Sequence, residues 1–325
     1  MCRIKGERML ISFVIPCYRS EYTITKVIDE IKTTVAMRDE YDYEIICIND
    51  CSPDGVYNVL ENLAKTDRQI KVIDLAKNMG KHSAVLAGYA VASGEIVVNL
   101  DDDFQSPIYN LWQLIEPLEK DLCDVVTANY KKKKQAWWKN IGSNFNHFIS
   151  GFLLDKPKDL RFDNFNAMKL FVAKEMMKYK NPYPFLDGLI VRTTNRIMAI
   201  EMEERNRADD KKTGYTLKKS INLFLNNFTS FSVKPLRLST SIGVIAAMAG
   251  FIWAIVTFIR KIINPAVEIG YTSMLIIILI MGGLILMGLG MLGEYIGRIY
   301  ICLNASPQYV VKKTINIDYK DDNTE

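Results

Sequence analysis

Apolar residues follow two rhythms over the first 130 positions, and the rhythms alternate. Short continuous runs at 11–16, 43–48, 70–75, 96–100 and 123–128 are rich in branched side chains and bounded by turn formers. Runs of that length and composition read as strands buried on both faces. Between them apolar residues recur every third or fourth position: Ile24, Val27, Ile28, Ile31 and Val35; then Val56, Val59, Leu60 and Leu63; then 84–91; then Leu111, Leu114, Ile115 and Leu118. That spacing lines one face of a helix. Strands alternating with helices over short connections predict an α/β domain with a doubly wound, mostly parallel sheet over 1–130.

At residue 131 the pattern changes. A four-lysine run, 131–134, precedes Trp137 and Trp138, and Trp138, Ile141, Phe145, Phe148, Ile149 and Phe152 then recur at helical spacing. A one-sided apolar face with aromatic anchors beside a lysine cluster predicts an amphipathic helix in a membrane interface over 135–153. A second is predicted at 215–228, with Leu217, Ile221, Phe224, Leu225 and Phe228 on one face and Lys218 and Lys219 on the other. Both belong to a membrane-interface and acceptor part, 131–237.

Residues 238–259 and 269–293 hold no charged residue, and each is long enough to cross a hydrocarbon core of about 30 Å. They predict a two-helix transmembrane hairpin over 238–293, with 294–325 as a tail. Lys218, Lys219, Lys234 and Arg237 before it, and Arg298, Lys312 and Lys313 after it, place both termini on the cytoplasmic side of the inner (plasma) membrane. Gly243 with Ala247 and Gly293 with Gly297 have the small-residue spacing of helix packing.

Composition narrows the chemistry. A net charge of +4 gives no support for a nucleic-acid partner. Six cysteines without a C-x-x-C pair read as a reducing compartment. Two histidines, His82 and His147, lack acids or thiols at ligand spacing, so histidine-based zinc chemistry is not expected. The N-terminus carries no apolar stretch of the secretory kind.

The candidate chemistry is acidic. Asp101, Asp102 and Asp103 follow the fourth predicted strand, and three adjacent carboxylates repel unless a cation sits among them. Oxygen-only ligands suit Mg²⁺ or Mn²⁺ rather than zinc; the competing reading is a solvated acidic loop before the next helix. Ligands of doubly wound sheets bind at the carboxyl ends of the strands, where Asp50 also falls, with Lys81 nearby. No G-x-G-x-x-G or Walker A segment is present, so a polyphosphate would be held with a metal rather than by a glycine-rich loop.

The motif order resembles the family 2 glycosyltransferases of the polyprenyl-phosphate type, the bactoprenol glucosyltransferases and dolichol-phosphate mannose synthases. The matching stretches are VIPCYRSE (14–21), INDCSPDG (48–55), KNMGKHSAVLAG (77–88), DDDFQSP (101–107), GYTLKKSINL (214–223), FTSFSVKPLRLST (228–240) and GEYIGRIY (293–300). The resemblance implies a GT-A fold. It implies metal binding by Asp101 and Asp103 with help from Gln105, and donor-nucleoside contacts from Pro16, Tyr18, Glu21, Asp50 and Asp102. Lys81 would approach the diphosphate. Of the three acids, Asp102 is expected to point away from the metal. The partners implied are a nucleotide-sugar, with a UDP-sugar favoured, a polyprenyl phosphate and the lipid bilayer; a homo-oligomer is left open.

Three segments depart from the family pattern, one of them Arg205-Asn206-Arg207-Ala208 with Lys211-Lys212-Thr213, where a His-x-x-Arg segment and a following Gly-Lys-Ser are common. Asn49 stands where an acid is usual before Asp50, and the acceptor region reads Asp163-Asn164-Phe165-Asn166 instead of the usual Phe-Arg or Phe-Lys pair. Arg205, Arg207, Lys211 and Lys212 are therefore the candidate ligands of the acceptor phosphate. The reaction implied is metal-dependent, inverting transfer of one sugar, glucose or another hexose, to undecaprenyl phosphate for cell-envelope glycan modification. Two alternatives remain: a polysaccharide chain-building transferase, for which no Gln-x-x-Arg-Trp segment exists, and an inactive membrane-anchored binding protein.

Overall fold

Phe13, Val14 and Ile15 are at most 1% exposed, so the first apolar run sits at the centre of a sheet. Burying each such side chain stabilises the fold by about 1.5–3 kcal/mol. The computed structural model describes residues 8–130, 162–182, 184–203, 205, 234–264, 270–304 and 306–317. The interface helices expected at 135–153 and 215–228 lie outside the described residues. The chain forms two compact units, Met1–Gly214 with Ala305–Glu325, and Tyr215–Asn304.

In the first unit, β1 (Met9–Cys17), α1 (Ile24–Val35), β2 (Tyr41–Asn49), α2 (Val56–Thr66), β3 (Ile70–Leu75), α3 (Lys81–Tyr89), β4 (Ile96–Asn99), α4 (Leu111–Glu119) and β5 (Val125–Tyr130) follow the predicted alternation. All five apolar positions predicted for α1 are buried. Strand β1 pairs in parallel with β2 and β4, and β2 with β3. The α/β expectation therefore holds for this parallel centre.

The sheet as a whole is mixed. Among the described residues it has eight strands in the order β7-β5-β6-β4-β1-β2-β3-β8. Strand β6 (Asn166–Lys169) runs antiparallel between β4 and β5, separating two strands that a simple doubly wound order would place side by side. Helices α5 (Leu170–Met177) and α6 (Leu186–Thr193) follow, and β7 (Ile197–Met202) pairs in parallel with β5. Because β6 opposes β4, its first residue lies at the carboxyl end of β4.

The tail expected from residue 294 is divided differently. Residues 294–303 complete a helix, and β8 (Val311–Ile315) adds antiparallel to β3. Polar bonds hold this return: Gln308 Nε2 donates to the carbonyls of Tyr179 and Asn181 at 2.6 and 2.7 Å. Asn316, at φ 58°, donates to those of Ala64 and Ile70 at 2.7 and 2.8 Å.

The second unit holds α7 (Lys234–Ile263) and α8 (Tyr271–Leu303), which pack on each other; α7 passes both ends of the predicted 238–259, while α8 starts two residues inside the predicted 269–293 and runs on past its end. Among the described residues one stretch, Ile280–Leu303, is long and apolar enough to cross a membrane, and Ser239–Trp253 is a shorter apolar stretch. Among the described residues, a Cβ on Gly243, Gly293 or Gly297 would meet nothing within 4 Å. A Cβ on Gly288 would instead lie 3.8 Å from Ser239 Oγ.

Candidate active site

Three parallel strands end side by side, and the turn after each contains a non-glycine residue with positive φ: Arg19 at 61°, Cys51 at 48° and Phe104 at 62°. Such backbone costs of order 1–3 kcal/mol per residue and persists where surrounding bonds enforce it. Those bonds are present. The Arg19 N–H donates to Ser52 Oγ at 2.8 Å, Glu21 N–H to Asp54 Oδ2 at 3.1 Å, and Gly55 N–H to Glu21 Oε2 at 3.1 Å. A Cβ on Gly55 would come within 2.7 Å of Glu21 Oε1, so the two loops approach as closely as a missing side chain permits.

Asp50 is buried at the end of β2 and accepts the N–H groups of Met79 and Gly80 at 2.8 and 3.0 Å. Burial raises its carboxyl pKa, against the pull of those two bonds. Gly80 has φ +83° with nothing near its Cβ position, so glycine is needed there for conformation rather than space. The turn it makes starts α3 and aims Lys81 at Asp101, whose Oδ1 accepts the Lys81 ammonium.

The three acids after β4 face different partners. Asp101 holds Lys81 on one oxygen and the Asn164 amide on the other, at 2.7 Å. Asp102 turns toward β1: its Oδ2 accepts the Tyr18 N–H at 2.8 Å, and its carbonyl accepts Thr23 Oγ1 at 2.6 Å. Burial pushes the Asp102 carboxyl up to about 6, with Asp101 and Asp103 adding to the rise. Asp103 Oδ1 accepts the Gln105 N–H at 3.1 Å. Pro16 is buried in β1, and the half-exposed Tyr18 ring lies beneath the Arg19 guanidinium, 5.4 Å from its centre. The structure thus gathers Pro16, Tyr18, Glu21, Asp50, Lys81 and Asp101–Gln105 at one edge of the sheet.

Two residues that sequence reasoning did not select join them from the turn before β6. Asn164 bonds Asp101, and the half-buried Asp163 carboxyl is pushed up to about 6 by desolvation, with the Asp101 charge adding and Lys81 opposing. A ladder of amides fixes this turn: Asn166 Nδ2 donates to the Asp163 carbonyl at 2.8 Å, and Asn99 Nδ2 to Asn166 Oδ1 and to the Tyr89 hydroxyl, both at 2.7 Å. Nothing in the local pattern of 163–166 marks it as adjacent to β4; the antiparallel pairing of β6 alone does that.

Arg205 lies beside the acidic turn, engaged by an acid and two rings. Its guanidinium forms a two-bond pair with Glu30, both at 2.8 Å, and stacks 4.4 Å from the Phe104 ring centre and 5.3 Å from that of Tyr109. Arg207, Lys211 and Lys212 lie outside the described residues.

The acids suit a hard divalent cation only in part. Among the described residues no three His, Cys, Asp or Glu side chains converge as a metal cage. Asp101, Asp103 and the Gln105 carbonyl supply oxygens from one turn, the donor set of a cation that completes its shell with water and substrate phosphates. The residues fit a metal that arrives with a nucleotide.

The glycosyl transferase family 2 model matches residues 12–176, and that of the GtrB C-terminal hairpin matches 234–299. The chain is 30% identical to the uncharacterized glycosyltransferase YkcC of Bacillus subtilis over 95% of each chain. It is 30% identical to the prophage bactoprenol glucosyl transferase homolog of Escherichia coli, over 94% of this chain and 99% of that one. Its identity with the undecaprenyl-phosphate 4-deoxy-4-formamido-L-arabinose transferase of Proteus mirabilis is 28%, over 97% of each.

Proposed function

The chain belongs to glycosyl transferase family 2, and from that premise we propose that it transfers one sugar from a nucleotide-sugar to polyprenyl phosphate at the cytoplasmic membrane surface. Relatives along its whole length act on bactoprenol or undecaprenyl phosphate by name. The observation that carries the reading is the convergence of Lys81 and Asn164 on Asp101, beside the stitched turns after β1 and β2.

In this reading the turns at 16–21 and 50–55 hold the nucleoside, and Asp102 braces the first of them through the Tyr18 N–H. Asp101 and Asp103, with Gln105, would hold Mg²⁺ or Mn²⁺, which supplies charge neutralisation for the departing diphosphate. Lys81 stands at the same carboxylate and brings a positive charge to that diphosphate. The nucleophile is a lipid phosphate oxygen, largely ionised at neutral pH because its second pKa is near 6. It attacks the anomeric carbon as the bond to the diphosphate oxygen breaks, inverting that centre. A nucleophile already ionised needs no proton removed, so positioning and charge account for the catalysis.

The helix pair would anchor the enzyme in the bilayer. Phe251, Trp253 and Leu286 are each at least 60% exposed, as side chains facing lipid would be. The chain leaves the first unit before α7 and returns to its sheet as β8, which suits a hairpin entering and leaving on one side.

The test is to incubate membranes carrying the protein with labelled nucleotide-sugars and undecaprenyl phosphate, with and without EDTA. A mild-acid-labile glycolipid is expected, lost with EDTA, restored by Mg²⁺ or Mn²⁺, and absent with Asp101→Asn. If every donor fails, or Asp101→Asn matches wild type, the reading is wrong.

A further inference from the structure

Asn49, the last residue of β2, and Asp74, next to last in β3, are register partners in adjacent parallel strands, and both are buried. Asn49 uses its amide in two directions. Its Nδ2 donates to Asp74 Oδ1 at 2.7 Å, and its Oδ1 accepts the Ser52 N–H at 3.1 Å. Ser52 Oγ in turn accepts the Arg19 N–H at 2.8 Å and donates to Asp54 Oδ1 at 2.6 Å, and Asp54 Oδ2 accepts the Glu21 N–H. The turns after β1 and β2 are therefore connected, through one side chain, to strand β3.

We propose that the Asn49–Asp74 pair is the positioning device of the nucleotide subsite, and that it sets how tightly the donor binds. The proposal rests on the reading of the 16–21 and 50–55 turns as that subsite. Only an amide meets both demands at position 49. An aspartate could still accept from Ser52, but it would set a second carboxylate against Asp74 in a buried place, where like charges repel strongly. An alanine would leave both the Ser52 N–H and the Asp74 carboxylate short of a partner. Strand β8 shields the far side: its register slips at Asp74/Leu75, and the Lys312 ammonium lies 3.6 Å from Asp74 Oδ2. Lys312 is 69% exposed, so the Asn49 bond, not that ion pair, is the main constraint.

The arrangement gives the pair a reciprocal form. Asn49→Asp combined with Asp74→Asn would rebuild the same bond with donor and acceptor exchanged, and the carboxylate then at position 49 would still accept the Ser52 N–H.

The test uses the full-length protein in lipid nanodiscs with Mn²⁺ and, as probes, UDP, GDP and CDP, following whichever the wild type binds. Asn49→Asp is expected to weaken nucleotide binding about tenfold or more, the cost of one lost buried bond. In turnover the donor KM should rise while kcat changes little. The double variant Asn49→Asp/Asp74→Asn should return to within about threefold of wild type. Asn49→Ala, which has no like-charge clash and serves if the aspartate variant fails to fold, should show a similar loss that Asp74→Asn does not rescue. Unchanged nucleotide affinity in Asn49→Asp and Asn49→Ala, even with a lowered melting temperature, would reduce the pair to a fold contact and overturn the proposal. A double variant as weak as Asn49→Asp would do the same. A wild type that binds none of the three nucleotides would overturn the subsite reading and this proposal with it.

Discussion

Asn164 donates its amide to Asp101 Oδ2 at 2.7 Å across 63 residues of sequence. The bond exists because β6 runs antiparallel beside β4 and delivers the start of β6 to the carboxyl end of β4. Asp101 is thereby held from both sides, by Lys81 and by Asn164, in an orientation that leaves Asp102 to face β1.

Asn164→Ala removes one hydrogen bond to a charged group, worth about 1.5–3 kcal/mol. Glycolipid formation should fall about tenfold or more in kcat/KM, with only a modest fall in melting temperature because Asn164 is exposed and water can replace part of the bond. Turnover equal to wild type would mean that Asp101 needs no second support.

The two-bond pair between Arg205 and Glu30 predicts which substrate feels the loss of Arg205. Its guanidinium braces Phe104, the strained residue between Asp103 and Gln105. Arg205→Ala should therefore weaken Mn²⁺ and nucleotide binding about tenfold and leave the KM for undecaprenyl phosphate nearly unchanged. A rise confined to the lipid KM would instead make Arg205 an acceptor ligand.

Asp163 predicts a pH dependence of stability. Its folded-state pKa, about 6, is above the ordinary carboxylate value near 4. The folded state then binds more protons than the unfolded chain between those values. The contribution is fully present below about pH 4 and is lost as pH rises through 6. Without divalent cations, Asp163→Asn should gain melting temperature over wild type as pH rises from 4 to 7. A gap that does not change with pH would contradict this.

His82 predicts the opposite slope. Its ring packs edge-on to Phe185 at 5.6 Å, and its buried Nδ1 has no hydrogen-bond partner among the described residues. Burial, with the Lys81 charge adding, pushes its pKa down to about 4 from an ordinary 6.5. This depressed pKa contributes stability above pH 6.5 that is lost as pH falls toward 4. His82→Phe should flatten that acid limb, measured as melting temperature over pH 4–7. Since the Asp163 and His82 slopes oppose each other over much of this range, the wild-type curve alone hides both.

The sequence by itself determined the parallel centre of the fold and the presence of two helices near its C-terminal end. Burial on both faces forces unbroken apolar runs such as 11–16, and helical spacing such as Ile24 to Val35 follows from a single buried face; both are local properties that a linear chain records. It also placed Asp50, Lys81 and Asp101–Asp103 at one edge, because parallel strands joined by helices must end on the same side.

Tertiary structure decided the rest. Strand β6 has only four residues, too few for a period to register, and its place between β4 and β5 is fixed by pairing partners distant in sequence. Asn164 and Asp163 enter the site through that pairing, and Asp74 meets Asn49 only because β3 lies beside β2 in register. Arg205 reads in sequence as a cation suited to phosphate. It becomes a brace for Phe104 because folding brings Glu30, 175 residues away, to its guanidinium. A residue's charge is written in the chain, but the partner that sets its use is chosen by long-range register and packing.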